Sequence, residues 1–354
     1  MVEIMQQVFF ANINKGLKWD QMILNICEKT IPNTVKPGDL VAIKLHMGER
    51  GGGTFLKPSL IKPIVDFVKN IGGEPFLTDT STLYRRGRGN AIEYLKTALI
   101  NGFSPELIGC PIIIADGLNG ENEVEVPFNG KYLKKVYVAS TFMYVDSLIV
   151  VSHGKGHRLC GFGGSIKNVG MGCLSQKGKI LIHKVSQPKV NLEKCVGCGI
   201  CEKQCRWNAI KVVRNLAKIE YEKCVGCLDC FIVCPFEAVF PPEQGKEEVL
   251  VRLAEAAAAV LKKFKDKASF INFLIDITEL CDCVPNASRK FAPDIGILGS
   301  KDIVAIDKAS LDLIKESCNN KSIFLDLHKV DPEIMIKTAE EIGLGNAKYE
   351  LIEL

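Results

Sequence analysis

Residues 40–79 read LVAIKLHMGERGGGTFLKPSLIKPIVDFVKNIGGEPFLTD. The apolar run Leu40 to Leu45 has the length of a strand, and a glycine-rich polar turn follows it. Leu56 to Ile71 then places apolar residues at helical spacing, with Pro58 near the first turn and Gly72 where a helix C-cap belongs. Pro75 to Thr78 returns to a strand pattern. Strand, helix and strand in close succession predict a parallel pair with the helix packed across it. The same alternation runs outward: strands at Pro111 to Ala115, Val136 to Ala139 and Leu148 to Ser152, and a helix at Asn90 to Asn101 that ends at Gly102. It resumes late in the chain. A helix is expected at Glu247 to Phe264, strands at Phe270 to Asp276 and Asp294 to Leu298, and helices at Asp302 to Ser317 and Pro332 to Ile342. The fold class is therefore α/β, a mostly parallel sheet flanked by helices.

A cysteine-rich segment interrupts this pattern. The chain of 354 residues has 15 cysteines, and eight of them lie between Cys195 and Cys234. Lys194-Cys-Val-Gly-Cys-Gly-Ile-Cys-Glu-Lys-Gln-Cys205 repeats 29 residues later as Lys223-Cys-Val-Gly-Cys-Leu-Asp-Cys-Phe-Ile-Val-Cys234. Each copy is C-x2-C-x2-C-x3-C. Three thiolates at that spacing can hold three corners of an iron–sulfur cube while the fourth serves the other cluster. The expected sets are Cys195, Cys198, Cys201 and Cys234 on one 4Fe–4S cluster, and Cys224, Cys227, Cys230 and Cys205 on the second. Zinc would call for two separated cysteine pairs per ion, which four cysteines in eleven residues do not offer. The chain is accordingly divided into a first part of the α/β body (1–187), an inserted α+β module with two 4Fe–4S clusters (188–242) and a second part of the body (243–354). Three independent domains in series are the competing organisation.

Composition excludes several classes. With 45 basic and 41 acidic side chains the formal charge is +4, too small for nucleic acid or an anionic membrane to be the main partner. No apolar stretch has the roughly 18 residues of a spanning helix. Met1 to Gln7 lacks a basic stretch followed by an apolar one, so a cytoplasmic protein is expected, and clustered cysteines in such a chain point to ligation rather than structural disulfides.

Residues 190–242 resemble bacterial-type two-cluster ferredoxins. One departure is Arg206, where proline usually follows the fourth cysteine; Pro235 keeps it in the second copy. Arg206 and Trp207 are read as altering the local field or marking a docking surface. The chain as a whole resembles the uncharacterised iron–sulfur centre proteins grouped as domain of unknown function 362. Asp79 to Tyr84, Ala115 to Gly117, Ser152 to His157, Gly161 to Asn168, Gly170 to Cys173, Asn272 to Thr278, Cys281 to Cys283, Asp294 to Leu298 and Val304 to Asp307 carry that resemblance. It lies on both sides of the cysteine repeat, which implies an insertion, and it assigns no reaction.

Outside the repeat, the candidate catalytic residues are His153, Lys155, His157, Cys281 and Cys283. The first three sit in a glycine-spaced loop after a strand, and ligands in open α/β sheets collect beyond strand carboxyl ends. Cys281-Asp-Cys283 follows another strand, and a C-x-C pair is read as ligand or reactive thiol rather than disulfide. Together with Cys160 or Cys173, these residues form a candidate third metal site: His153, His157, Cys281, Cys283. The loop His46 to Thr54 is read as a flexible lid, with an anion cradle as the alternative. Arg85, Arg86 and Arg88 are read as a solvated turn or a holder of an anionic ligand or acidic partner. Cys27, Cys110 and Cys318 are read as small buried residues.

The leading expectation is a ferredoxin-like electron carrier that relays single electrons to or from a redox partner protein. The alternative is an oxidoreductase whose clusters feed a metal or anionic-substrate site in the body. A homo-oligomer is compatible with either.

Overall fold

The computed structural model describes residues 5–242, 245–285 and 289–354. Met1 to Ile4, within the stretch read for a leader, and the start of the second body part at residue 243 lie outside them. One sheet of eight strands runs through the body. Its strands are β1 (Gln6–Asn12), β2 (Leu40–Lys44), β3 (Glu74–Asp79), β4 (Ile112–Ile114), β5 (Ser147–His153), β6 (Ala268–Leu274), β7 (Gly296–Ser300) and β8 (Tyr349–Glu353). Their order is β8-β1-β7-β6-β5-β2-β3-β4, and only β7 runs antiparallel to its neighbours. Strands from both sides of the cysteine repeat thus pair directly, Val150 of β5 standing beside Phe270 of β6.

Both faces of the sheet are covered, which is why its strands are nearly continuous apolar runs rather than alternating ones. Val41, Ile43, Ile149, Val151, Ile271 and Phe273 face a core that includes Met22, Ile26, Ile61 and Ile64, from the helices Trp19–Thr30 and Pro58–Asn70. Ala42, Leu148, Val150 and Phe270 face the other way, onto a core with the helices Ser165–Gly172, Lys246–Leu261, Ile303–Ser317 and Glu333–Glu341. Burial at ~25 cal/mol per Å2 over both layers makes this the dominant stabilising term. Gly170 marks where the first two of these helices cross: a Cβ there would lie 2.2 Å from the Leu253 carbonyl oxygen.

Val136 to Ala139 is a strand, as the sequence reading has it, but lies apart from the others. That run belongs to a separate hairpin, Glu123–Pro127 with Lys135–Ala139, and not to the central sheet. The helix ends behave as expected, with Gly72 and Gly102 both at φ 88°.

Residues 188–242 form a small unit whose elements repeat like its sequence. Helices Ile200–Gln204 and Asp229–Ile232 occupy equivalent positions, and Lys189–Val190 pairs with Val239–Phe240 while Ile210–Val213 pairs with Leu216–Ile219. The unit is latched to the body. Arg206 Nη1 donates to the carbonyls of Thr82 (3.1 Å) and Gly89 (2.9 Å), and Trp207 Nε1 donates to Leu83 O (2.8 Å). Arg206, which departs from the ferredoxin pattern, and Trp207 are therefore a docking surface, but an intramolecular one. Gly226 sits so close to the body that a Cβ would meet the His183 carbonyl oxygen at 1.9 Å.

Candidate functional site

The chain leaves β2 for β3 and β4 on one side, then returns to place β5 on the other side of β2. A crevice opens at such a reversal, beyond the strand carboxyl ends. Lys44 at the end of β2, Asp79 at the end of β3 and His157 after β5 line the cavity found there. Its opposite wall is the cysteine-rich unit, through Cys227, Leu228 and Phe231.

The cleft is cationic. Lys44 bonds Asp79 at 2.9 Å and Asn168 Oδ1 at 2.6 Å, and Gly172 leaves the space that its ammonium fills. Burial alone would raise the Asp79 carboxyl, but Lys44 and Arg88 bring it down to about 2. Arg88 is matched by Glu49 (2.6 Å), and Arg86 by Asp229 (2.8 Å). Three further cations on the wall, Lys167, Lys179 and Arg158, make no direct ion pair with a carboxylate among the described residues, though Asp116 acts on Lys179 at longer range. Lys179 is buried and bonds Thr80 Oγ1 and Leu174 O, and burial lowers its pKa to about 8. Lys167 is carried by the helix Ser165–Gly172, whose first amides, Ser165 N and Ile166 N, donate to the buried Asp307 carboxylate at 2.7 and 2.8 Å. Burial also lowers the pKa of Lys167 and holds His46 and His157 well below the usual imidazole range, with His183 at about 4. The histidines are neutral here, and desolvated ammonium groups are stabilised by any anion that enters.

The sequence candidates separate into two sets. His153 does not face a metal position: Nδ1 meets Asp282 Oδ2 at 2.8 Å and Nε2 meets the Ile275 carbonyl at 2.6 Å, so both ring nitrogens are engaged. Lys155 Nζ donates to Asp282 Oδ1 at 2.8 Å and to Thr54. Burial favours the neutral acid, but His153 and Lys155 outweigh it and hold the Asp282 carboxyl well below the usual range. These two residues therefore anchor the middle of the Cys-Asp-Cys turn, a role that the sequence reading did not assign. His157, Cys281 and Cys283 do come together, one donor atom from each lying within 4.8 Å of the others. His153 is not in that group. Cys281 and Cys283 are joined as a disulfide, against the expectation of ligand or free thiol.

Two other expectations change. The loop from His46 to Thr54 is not an open lid: Met47 and Glu49 are buried, Glu49 holds Arg88, and Thr54 Oγ1 donates to Asp282 at 3.1 Å. Nor is the arginine loop a solvated turn. Arg88 is buried, and Arg86 donates to Cys283 O (3.1 Å) while pairing with Asp229, which ties the Cys-Asp-Cys turn to the cysteine-rich unit.

Within that unit, one hollow is lined by Cys195, Cys198, Cys201 and Cys234, and another by Cys205, Cys224, Cys227 and Cys230. Ala209 N donates to Cys205 Sγ (3.4 Å) and Ala238 N to Cys234 Sγ (3.3 Å), equivalent contacts in the two copies. Burial pushes the Cys227 thiol up to about 12. A buried sulfur of that kind ionises when a metal cation lies against it.

No helix of the described residues is long and apolar enough to cross a membrane. No curated protein matches the chain. Solved structures similar to it include the lactate racemase apoprotein from Thermoanaerobacterium thermosaccharolyticum, at 14% identity and a TM-score of 0.39, covering 77% of this chain and 51% of that one. A protein from Thermotoga maritima is similar at 11% identity and a TM-score of 0.42, covering 87% and 59%. The chain thus spans less than two thirds of either structure's length. The match that covers the body on both sides of the cysteine repeat is to the family described as domain of unknown function (DUF362), over residues 41–312, and the chain belongs to that family.

Proposed function

We propose that this chain is an iron–sulfur oxidoreductase, in which two 4Fe–4S clusters pass single electrons toward a small anionic molecule held in the basic cleft. Cys195, Cys198, Cys201 and Cys234 would hold the outer cluster, and Cys205, Cys224, Cys227 and Cys230 the inner one. The observation that carries the reading is a shared wall: Cys227 and Leu228 line both the inner four-cysteine hollow and the cleft. Clusters so held supply one-electron chemistry. The chain's own residues do the rest. Lys167, Lys179 and Arg158 line the cleft and not the hollow, so their charge is directed at a ligand. Leu159, Leu253 and Phe231 give the cleft apolar walls, which strengthen each charge inside it.

The outer hollow supports the second element of the reading, a redox partner protein. Cys198 is exposed, and exposed Val196, Ile200 and Phe236 surround it. An apolar rim beside a near-surface cluster suits transient docking. An electron carrier without a substrate is the second reading, favoured by this rim and disfavoured by the cationic cleft.

The test is an oxygen-free preparation of the whole chain. Iron and acid-labile sulfide are measured, and paramagnetic resonance of the reduced protein is recorded with and without sulfate, a redox-inert anion. The proposal expects about eight iron atoms, four per cluster, and an anion-induced change in one cluster signal only. Cys227→Ser should remove the anion-sensitive signal and Cys198→Ser the other. Two clusters that ignore sulfate at any concentration would return the protein to the class of simple carriers.

A further inference from the structure

We propose that Cys281 and Cys283 form a redox-active dithiol–disulfide couple facing the cleft, a two-electron store filled by single electrons from the inner iron–sulfur cluster. This inference rests on the iron–sulfur reading above. Its first support is placement. The two joined sulfurs line the same cavity as Cys227, and Arg86 spans the gap between the Cys283 carbonyl and the Asp229 carboxylate beside the inner cysteines. The turn is also rigid, because the carboxylate of Asp282 between the two cysteines is gripped by Lys155, His153 and Thr54.

The second support is the hydrogen bonding of His157, which favours a redox couple over a metal site. Its Nδ1 accepts the amide N–H of Leu159 at 3.2 Å. The proton of the neutral ring is therefore on Nε2. A metal-ligating histidine is usually arranged the other way, one nitrogen bare for the metal and the other donating to a carbonyl or carboxylate. His157 departs from that arrangement, while a ring nitrogen of it lies within 4.8 Å of both sulfurs. Cys160, the other body thiol on this wall besides Cys281 and Cys283, is pushed by burial up to about 12 and stays a thiol.

The step balances as follows. Two electrons, delivered one at a time by the reduced inner cluster, break the S–S bond and leave two thiolates. Two protons from solvent in the open cleft complete the dithiol. The cluster is reoxidised at each delivery and is replenished by a low-potential one-electron donor.

The holoprotein is prepared without oxygen and treated with reduced methyl viologen, an obligate one-electron donor, then alkylated, denatured and analysed by peptide mass. The expected result is no label on Cys281 or Cys283 before reduction and label on both afterwards, with Cys227→Ser keeping both unlabelled under the same treatment. The inference is overturned if the pair is labelled as isolated, if a metal is retained at His157, Cys281 and Cys283, or if the disulfide survives while resonance spectra show reduced clusters. That last result leaves the iron–sulfur reading intact. A preparation without clusters overturns both.

Discussion

Replacing Asp282 by alanine tests whether a buried ion pair holds the Cys-Asp-Cys turn against the cleft. The carboxylate faces Lys155 Nζ and His153 Nδ1, each at 2.8 Å, and the side-chain exposures are 6% for Asp282, 1% for Lys155 and 6% for His153. Water has no access to take its place. Removing one member of a buried pair costs ~3–5 kcal/mol, because the remaining charge loses its compensation. With an unfolding entropy of ~2.1 cal/mol/K per residue, a chain of 354 residues should melt roughly 4–7 °C lower. Thermal unfolding followed by circular dichroism reads this directly. Lys155→Met in the same background removes the stranded ammonium and should recover part of the loss, a coupling of ~1–3 kcal/mol. The pH dependence has a definite sign. The folded-state carboxyl is held below its unfolded value, so its contribution is present above about pH 4 and is lost as pH falls through the folded value. The gap between parent and variant should therefore be widest near neutrality and close in strong acid. A melting point within about 1 °C of the parent, or a strictly additive double variant, would refute the anchoring role.

Sulfate affinity of the cleft, measured by calorimetry, should hold below about pH 8 and fall above it, since Lys179 loses its proton there in the free protein and an anion favours the ammonium. Lys167→Met should weaken sulfate about tenfold, or ~1.4 kcal/mol. Arg206→Ala removes two bonds to the body and should cost about 1–3 kcal/mol, raise amide exchange at residues 82–89 and leave the iron content unchanged. Gly170→Ala places a Cβ against the Leu253 carbonyl and should cost about 1–3 kcal/mol in urea unfolding, with cluster signals preserved.

Much of the sheet was legible because buried parallel strands are short apolar runs, and Leu40 to Leu45 and Leu148 to Ser152 look like nothing else. The edge strand Tyr349–Glu353 and its neighbour Gln6–Asn12 were not read, since Gln6, Glu350 and Glu353 dilute the apolar signal where burial is partial. Local spacing also made the cysteine quartets readable, because each copy carries three of its four ligands within seven residues. The site in the body was only half readable. Sequence placed His153, Lys155 and His157 beyond a strand end, but which of them turns toward Asp282 and which toward the sulfurs depends on residues 124 and more positions away. Lys167 and Lys179 were missed as cleft cations for a similar reason: on a helix, a lysine is ordinarily a solvated residue. The absence of a nearby acidic residue at helical spacing from Lys167 and Lys179 was the one available signal.

The central claim is most directly tested by iron and sulfide stoichiometry in an oxygen-free preparation, with one serine substitution in each cysteine quartet. The account predicts a brown protein with about eight irons and eight sulfides per chain, falling to about half in Cys198→Ser and in Cys227→Ser. A colourless protein, or one holding zinc in both quartets, would contradict it.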